Sequence, residues 1–200
     1  MPRSLLLIVN GPPGSGKTTL GTRIAEMFDL PFINKDGIKE LLFDTLGWSD
    51  REWSKRLGAA TYTILYHIIE AELRAGASCV VESNFHRALT SEKFAELRKK
   101  YDYDAFQILC YADGDILFER FKERSESGKR HPGHVDEMNY DEFEEILRRG
   151  RHDPIDISGP LYEVDMTDFE AIDYDGLFAA IRAFMGQRAE ERTALVVPRE

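Results

Sequence analysis

Two cysteines, Cys79 and Cys110, are all the sulfhydryls in this 200-residue chain. Neither has a second Cys or a His at ligand spacing, which argues against a disulfide framework or a thiolate metal site. Each sits in an apolar, strand-like run, so buried free thiols and a reducing cytoplasm are expected. Long hydrophobic runs are also missing. Nothing approaches the roughly 20 residues of a membrane span, and Met1-Pro2-Arg3-Ser4 leads straight into an apolar run with no secretory layout, so no membrane partner is expected. Positive charge is short as well. With 26 Lys and Arg against 36 Asp and Glu, the net charge is −10. Extended nucleic-acid binding needs a basic face and is not expected, although a local basic pocket is compatible with a nucleic-acid end. No Pro-, Gly- or Ser-rich linker and no internal repeat divides the chain. One domain over 1–187, with 188–200 as a fraying tail, is the expected organisation.

What the sequence does have is Gly11-Pro12-Pro13-Gly14-Ser15-Gly16-Lys17-Thr18-Thr19. It fits G-x-x-x-x-G-K-[ST], and it stands where that motif acquires meaning, between the apolar run Leu5–Val9 and the amphipathic run Leu20–Phe28. Glycines let backbone N–H groups turn towards phosphate oxygens. The helix beginning near Lys17 adds unpaired N–H groups and the positive end of its dipole. Gly11, Pro13, Gly14, Ser15 and Gly16 are therefore expected to cradle a triphosphate. Lys17 should reach the β- and γ-phosphates, Thr18 should ligate Mg²⁺, and Thr19 should donate to the α-phosphate.

Apolar strands alternate with helices along the rest of the chain, which predicts an α/β fold with a parallel sheet covered on both faces. Expected strands are 4–10, 30–34, 78–82, 105–111 and 161–165. Expected helices are 17–28, 36–46, 49–75 (opened by a Ser49/Glu52 capping box), 90–101 (capped by Thr90), 113–127 (capped by Asp113), 139–149 and 175–187. Ligands of such sheets bind beyond the carboxyl ends of the strands. Asp36, just after the second strand, is placed to act as base or orienter for an acceptor hydroxyl, with helix capping as its structural alternative. Glu82 closes an all-apolar strand, where a carboxylate can serve a bound Mg²⁺. Asn84, His86 and Arg87 follow it, and Asn84 and Arg87 are candidate substrate contacts. Across Glu119–Val135 five Lys/Arg oppose three Glu, a local excess of positive charge in an acidic chain. Arg120, Arg124 and Arg130 are the candidate phosphate clamps there, in a mobile lid over about 124–138. His131 and His134 lack a third ligand for a metal. Met166-Thr167-Asp168, after the last strand, should border the adenine, making Thr167 a nucleotide contact.

On these residues the chain resembles the AAA-type P-loop kinases grouped with polynucleotide 5′-kinase, zeta-type toxins and chloramphenicol phosphotransferase, over roughly Leu5–Thr167. Asn34-Lys35-Asp36-Gly37-Ile38-Lys39 looks like the Asn-Arg-Asp-Asp segment of the polynucleotide kinases. The resemblance implies Asp36 as base, Lys39 as a substrate contact, and Arg120 and Arg124 as lid arginines. It also implies a three-layer P-loop NTPase fold with strand order 2-3-1-4-5 and an adenylate-kinase-like lid. Gly37 stands where the family has a second acid, and Lys39 where it has arginine, so the resemblance does not name the acceptor. The expected activity is ATP- and Mg²⁺-dependent transfer of phosphate to a small-molecule or nucleotide hydroxyl, with the helix over 49–75 and the 84–87 loop shaping the acceptor pocket. The alternatives are a nucleotide-dependent ATPase switch and a polynucleotide or toxin-type kinase.

Overall fold

The computed structural model describes residues 3–196. Five strands form one parallel sheet: β1 (Ser4–Asn10), β2 (Phe32–Asn34), β3 (Cys79–Ser83), β4 (Tyr103–Tyr111) and β5 (Leu161–Asp165), in the order β2-β3-β1-β4-β5. All four pairings are parallel, so every connection is a crossover. The sheet is fully buried at β1, whose residues alternate between two cores. Leu5, Leu7 and Val9 pack with α1 (Lys17–Phe28) and other apolar residues on one face. Leu6 and Ile8 pack on the other face with Leu65, Ile69 and Leu73 of α3 (Arg51–Ala75), beside Phe94 of α4 (Arg87–Lys100). Helices α2 (Lys35–Leu46), α5 (Gly114–Glu126), α6 (Tyr140–Arg148) and α7 (Tyr174–Val196) complete the set, with two 3-10 turns at Pro132–His134 and Asp136–Met138 between α5 and α6. The expected α/β layering and 2-3-1-4-5 strand order are both present.

Several helix starts differ from the sequence reading. Asp50, not Ser49, caps α3, its Oδ1 accepting from Trp53 N at 2.8 Å. Glu52 is thereby left free to pair with Arg56 one turn on. Helix α4 begins at Arg87 rather than at Thr90, which is buried inside its first turns and accepts from the Tyr66 hydroxyl. Helix α2 is capped by Asn34, whose Oδ1 accepts from Gly37 N at 2.5 Å. That frees the Asp36 carboxylate from capping. At the other end, α7 runs well past Gln187 to Val196, and residues 197–200 lie outside the described residues. Both cysteines are buried free thiols, and burial pushes each thiol's pKa up to about 12.

Candidate active site

The loop between β1 and α1 has the backbone the motif demands. Gly16 has φ +80°, and a Cβ there would lie 2.7 Å from the Phe169 ring. A Cβ on Gly11 would lie 2.5 Å from the Cys110 carbonyl oxygen. Only glycine meets both conditions. Asn10, fully buried at the end of β1, anchors the loop. Its Oδ1 accepts from Gly11 N and from Phe85 N, both at 2.8 Å, and its amide donates to Phe85 O. Its place at a strand end marks it as a candidate in the sequence, but nothing along the chain shows that it would brace Phe85.

The residues at the end of the loop join the end of β3. Thr18 donates its hydroxyl to Glu82 at 3.0 Å, and Lys17 Nζ lies 3.6 Å from the same carboxylate. Burial raises the Glu82 pKa against the pull of Lys17. Ser15 Oγ is buried with no partner among the described residues, and Arg124 Nε likewise. An inward-facing glycine cradle, an orphaned hydroxyl and a buried lysine are the donor set a triphosphate requires. A hydroxyl and a carboxylate side by side suit Mg²⁺, which takes few protein oxygens and completes its shell with water and phosphate.

In front of Lys17 lies a cavity of about 380 Å³. It brings together Pro13, Lys17, Asp36, Lys39, Glu82, Asn84, Arg124 and Arg130 from the expected set. Asp36 sits among cations: Lys35 Nζ at 3.0 Å and Arg130 Nη1 at 2.9 Å. Burial works to raise its pKa, but Lys35, Arg130 and His134 together hold it well below the ordinary carboxylate value. Arg130 reaches Asp36 because the 3-10 turn behind it is tied down: Arg130 also meets Asp136 at 3.1 Å and His134 Nδ1 at 2.9 Å, while His134 Nε2 meets Glu40 at 2.9 Å. Gly133 packs flat on Phe43 of α2, where a Cβ would come within 2.6 Å of the ring. The segment between α5 and α6 thus closes against α2. Its arginine, expected on the triphosphate, here meets the carboxylate expected to serve the acceptor.

Four expected contacts, Arg120, Thr167, Arg87 and Thr19, do not line this cavity. Arg120 commits Nη1 to Met166 O at 2.6 Å and Nη2 to Thr167 O at 2.7 Å, and stacks over Phe169. A fork of donors matches two successive carbonyls. Arg120 therefore fixes the 166–169 loop beside Gly14 and Gly16, and Thr167 Oγ1 accepts from Asp113 N. Arg87 is exposed, points towards Asp156 at 3.8 Å, and lines a separate small cavity with His86 and His152. Thr19 stands exposed in the first turn of α1.

The far wall of this cavity is one face of α3. Arg51, Ser54, Lys55, Gly58, Ala59 and Tyr62 line it at helical spacing. The same periodicity that marked Leu57, Leu65 and Ile69 as core left this polar stripe as a pocket wall, a signal available in the sequence. Glu142 of α6 joins it, 2.7 Å from Arg51 and 3.2 Å from Lys55.

A P-loop at the carboxyl edge of a 2-3-1-4-5 parallel sheet defines a P-loop NTPase-type, nucleotide-binding domain. A family model described as "AAA domain" matches residues 6–149, and the chain belongs to that family. A "putative kinase" from Chloroflexus aurantiacus J-10-fl is 38% identical, with TM-score 0.82 over 92% of this chain and 97% of that one. A gluconokinase from Sinorhizobium meliloti 1021 is 20% identical (TM-score 0.46, 84% of each chain). A sugar kinase from Janibacter sp. HTCC2649 is 13% identical (TM-score 0.48, 82% of this chain and 86% of that one). No curated protein matches. Among the described residues no helix is long and apolar enough to cross a membrane.

Proposed function

We propose that the protein is an ATP- and Mg²⁺-dependent kinase that phosphorylates a hydroxyl group of a small-molecule or nucleotide acceptor. The observation that carries this reading is the position of Asp36. Relieved of capping by Asn34, it faces the same 380 Å³ cavity as Lys17. An ATPase switch has no need of a carboxylate facing an acceptor-sized space.

Lys17 neutralises charge on the transferring phosphoryl group, and Arg124 adds a second cation from α5. Thr18 and Glu82 would hold Mg²⁺, which would supply Lewis-acid charge neutralisation there. Asp36 aligns the acceptor hydroxyl and takes its proton as the new P–O bond forms. The β–γ bridge breaks and its electron pair leaves with ADP. Because the low Asp36 pKa makes a weak base, alignment comes first and proton uptake late, which a loose transition state tolerates. The acidic chain and walled cavity favour a small acceptor over a polymer, and two unreactive buried thiols suit the cytoplasm.

The test is transfer from γ-labelled ATP to a panel of nucleosides, sugars, polyols and 5′-hydroxyl oligonucleotides, using wild type and Asp36→Asn. Label on an acceptor that disappears in the variant, with ATP affinity kept, supports the kinase. Label released only as free phosphate, equally from both proteins, would put the ATPase switch in its place.

A further inference from the structure

His86 lines a second, smaller cavity of about 90 Å³ as well as the 380 Å³ one. Arg87, Arg149 and Arg151 face the smaller cavity against one carboxylate, Asp153. Asp153 is already engaged with Arg149 at 2.8 Å, and Arg151 reaches away to Glu163. Arg87 lies 3.8 Å from Asp156, beyond hydrogen-bond range, and among the described residues its guanidinium donates no hydrogen bond. The cavity also borders the start of α4. No side chain caps that helix, and the Arg87 and Ala88 amides have no acceptor among the described residues. Unpaired amides at a helix start carry the positive end of its dipole.

His152 lines the same cavity. It is 8% exposed, and neither ring nitrogen has a partner among the described residues. Burial pulls its pKa down to about 4, and His86, Lys17 and Arg149 pull the same way. The ring therefore stands neutral in a positive field, with one N–H to give. Buried polar atoms are normally satisfied, so a polar partner is due at this place.

We propose that this cavity is a second anion site, which takes a single phosphate group as inorganic phosphate or as the head of a small phosphate monoester. The α4 amides and the His152 N–H donate to its oxygens. Arg87 adds a planar fork of donors, and Arg149 and Arg151 add charge at the rim. A space of about 90 Å³ has room for a tetrahedral oxyanion and is too small for a nucleoside. The site is tied to the phosphate loop. Phe85, in the cavity wall, gives its N–H and its carbonyl to Asn10, which also holds Gly11 N. An anion that orders the β3–α4 loop steadies the nucleotide's cradle. Occupancy should tighten nucleotide binding about 5-fold, and nucleotide should tighten the anion by the same factor.

The experiment titrates the protein, saturated with ADP and Mg²⁺, with inorganic phosphate, glycerol 3-phosphate or chloride at fixed ionic strength and neutral pH. Proton NMR follows the histidine rings, of which the chain has five, and His152→Phe identifies the His152 signal. The expected result is a saturable shift of that signal with phosphate and none with chloride. Saturation by inorganic phosphate marks the free ion as the ligand, and saturation by glycerol 3-phosphate alone marks a monoester. Arg87→Gln, at an exposed position, should weaken binding about 10- to 100-fold, the size of a lost charged hydrogen bond, and Arg87→Lys should recover part of it. ADP affinity, measured with and without phosphate, should show the 5-fold tightening in wild type and lose it in Arg87→Gln. A His152 signal that ignores phosphate, or answers chloride as strongly, overturns the site. Tightening of ADP that survives Arg87→Gln comes from phosphate beside the nucleotide and overturns the coupling. None of these readouts requires phosphate transfer, so they stand apart from the kinase reading.

Discussion

Arg130 donates from Nη1 to the Asp36 carboxylate across 2.9 Å, so the segment between α5 and α6 is latched to the first turn of α2 by the residue expected to face the acceptor. The contact ties closure to ionisation. Arg130 is one of the cations holding Asp36 in its charged form. Arg130→Gln should therefore raise the Asp36 pKa. A carboxylate with a depressed pKa stays active down to low pH, so weakening the depression moves the acid limb of the kcat/KM profile to higher pH. A fall in kcat of about 10- to 100-fold is expected alongside. An acid limb that did not move would separate Arg130 from the ionisation of Asp36.

The Thr18–Glu82 pair yields a metal prediction. Glu82→Gln keeps the shape and the bond to Thr18 while removing the charge. The Mg²⁺ concentration for half-maximal activity should rise about 10- to 100-fold. Nucleotide affinity measured in chelator should stay near that of wild type. Titration of activity with Mg²⁺, and of binding with nucleotide, reads the two effects apart.

His152 gives a stability prediction. Buried with both ring nitrogens unpartnered among the described residues, it is held neutral, and burial pulls its pKa from 6.5 to about 4. The neutral form is the folded form. Stability from this residue is full above about pH 6.5, declines as pH falls towards 4, and levels off below, a loss of about 3 kcal/mol at most. Urea midpoints of wild type and His152→Phe, taken from pH 7 to pH 4, should diverge in the direction of a flatter curve for the variant. Parallel curves would show that the histidine charges freely in the folded state.

Asn10 is the tie between the phosphate loop and the β3–α4 loop. In Asn10→Ala, Gly11 N and Phe85 N lose their acceptor in a fully buried place. A cost of about 2–4 kcal/mol is expected from two stranded amides. Denaturant unfolding measures it, and nucleotide affinity should fall with it because the loop loses its brace.

The layering of the fold was legible because its signals are local. A parallel strand buried on both faces reads as an apolar run, and Gly16-Lys17-Thr18 announces its own helix. Helix starts were harder, since Ser49 and Asp50 both cap well, and the choice falls to which carboxylate or hydroxyl reaches Trp53 N. The candidate site divided in the same way. Asp36 comes just after β2, Glu82 stands near the end of β3 and Lys17 opens α1 beyond the phosphate loop, where topology places them. Arg120 and Arg130 lie on a helix and a loop, and spacing along the chain does not tell which carbonyl or carboxylate a long arginine side chain will meet across 46 or 94 residues. The pairing of Arg51 with Glu142 is of that second kind.

Helix α3 gives one face to the core and another to the cavity, and Tyr62 serves both, packing against the core of Leu65 and Ile69 and donating to Asn84 O at 3.3 Å. Lys55 and Gly58 line the cavity away from the buried Leu57, Leu65 and Ile69, while the phosphate loop follows β1 on the other side of the cavity. In the proposed kinase, acceptor choice falls in part to this strip of one helix. Drift along that strip would change the acceptor of such a kinase while leaving the donor end unchanged.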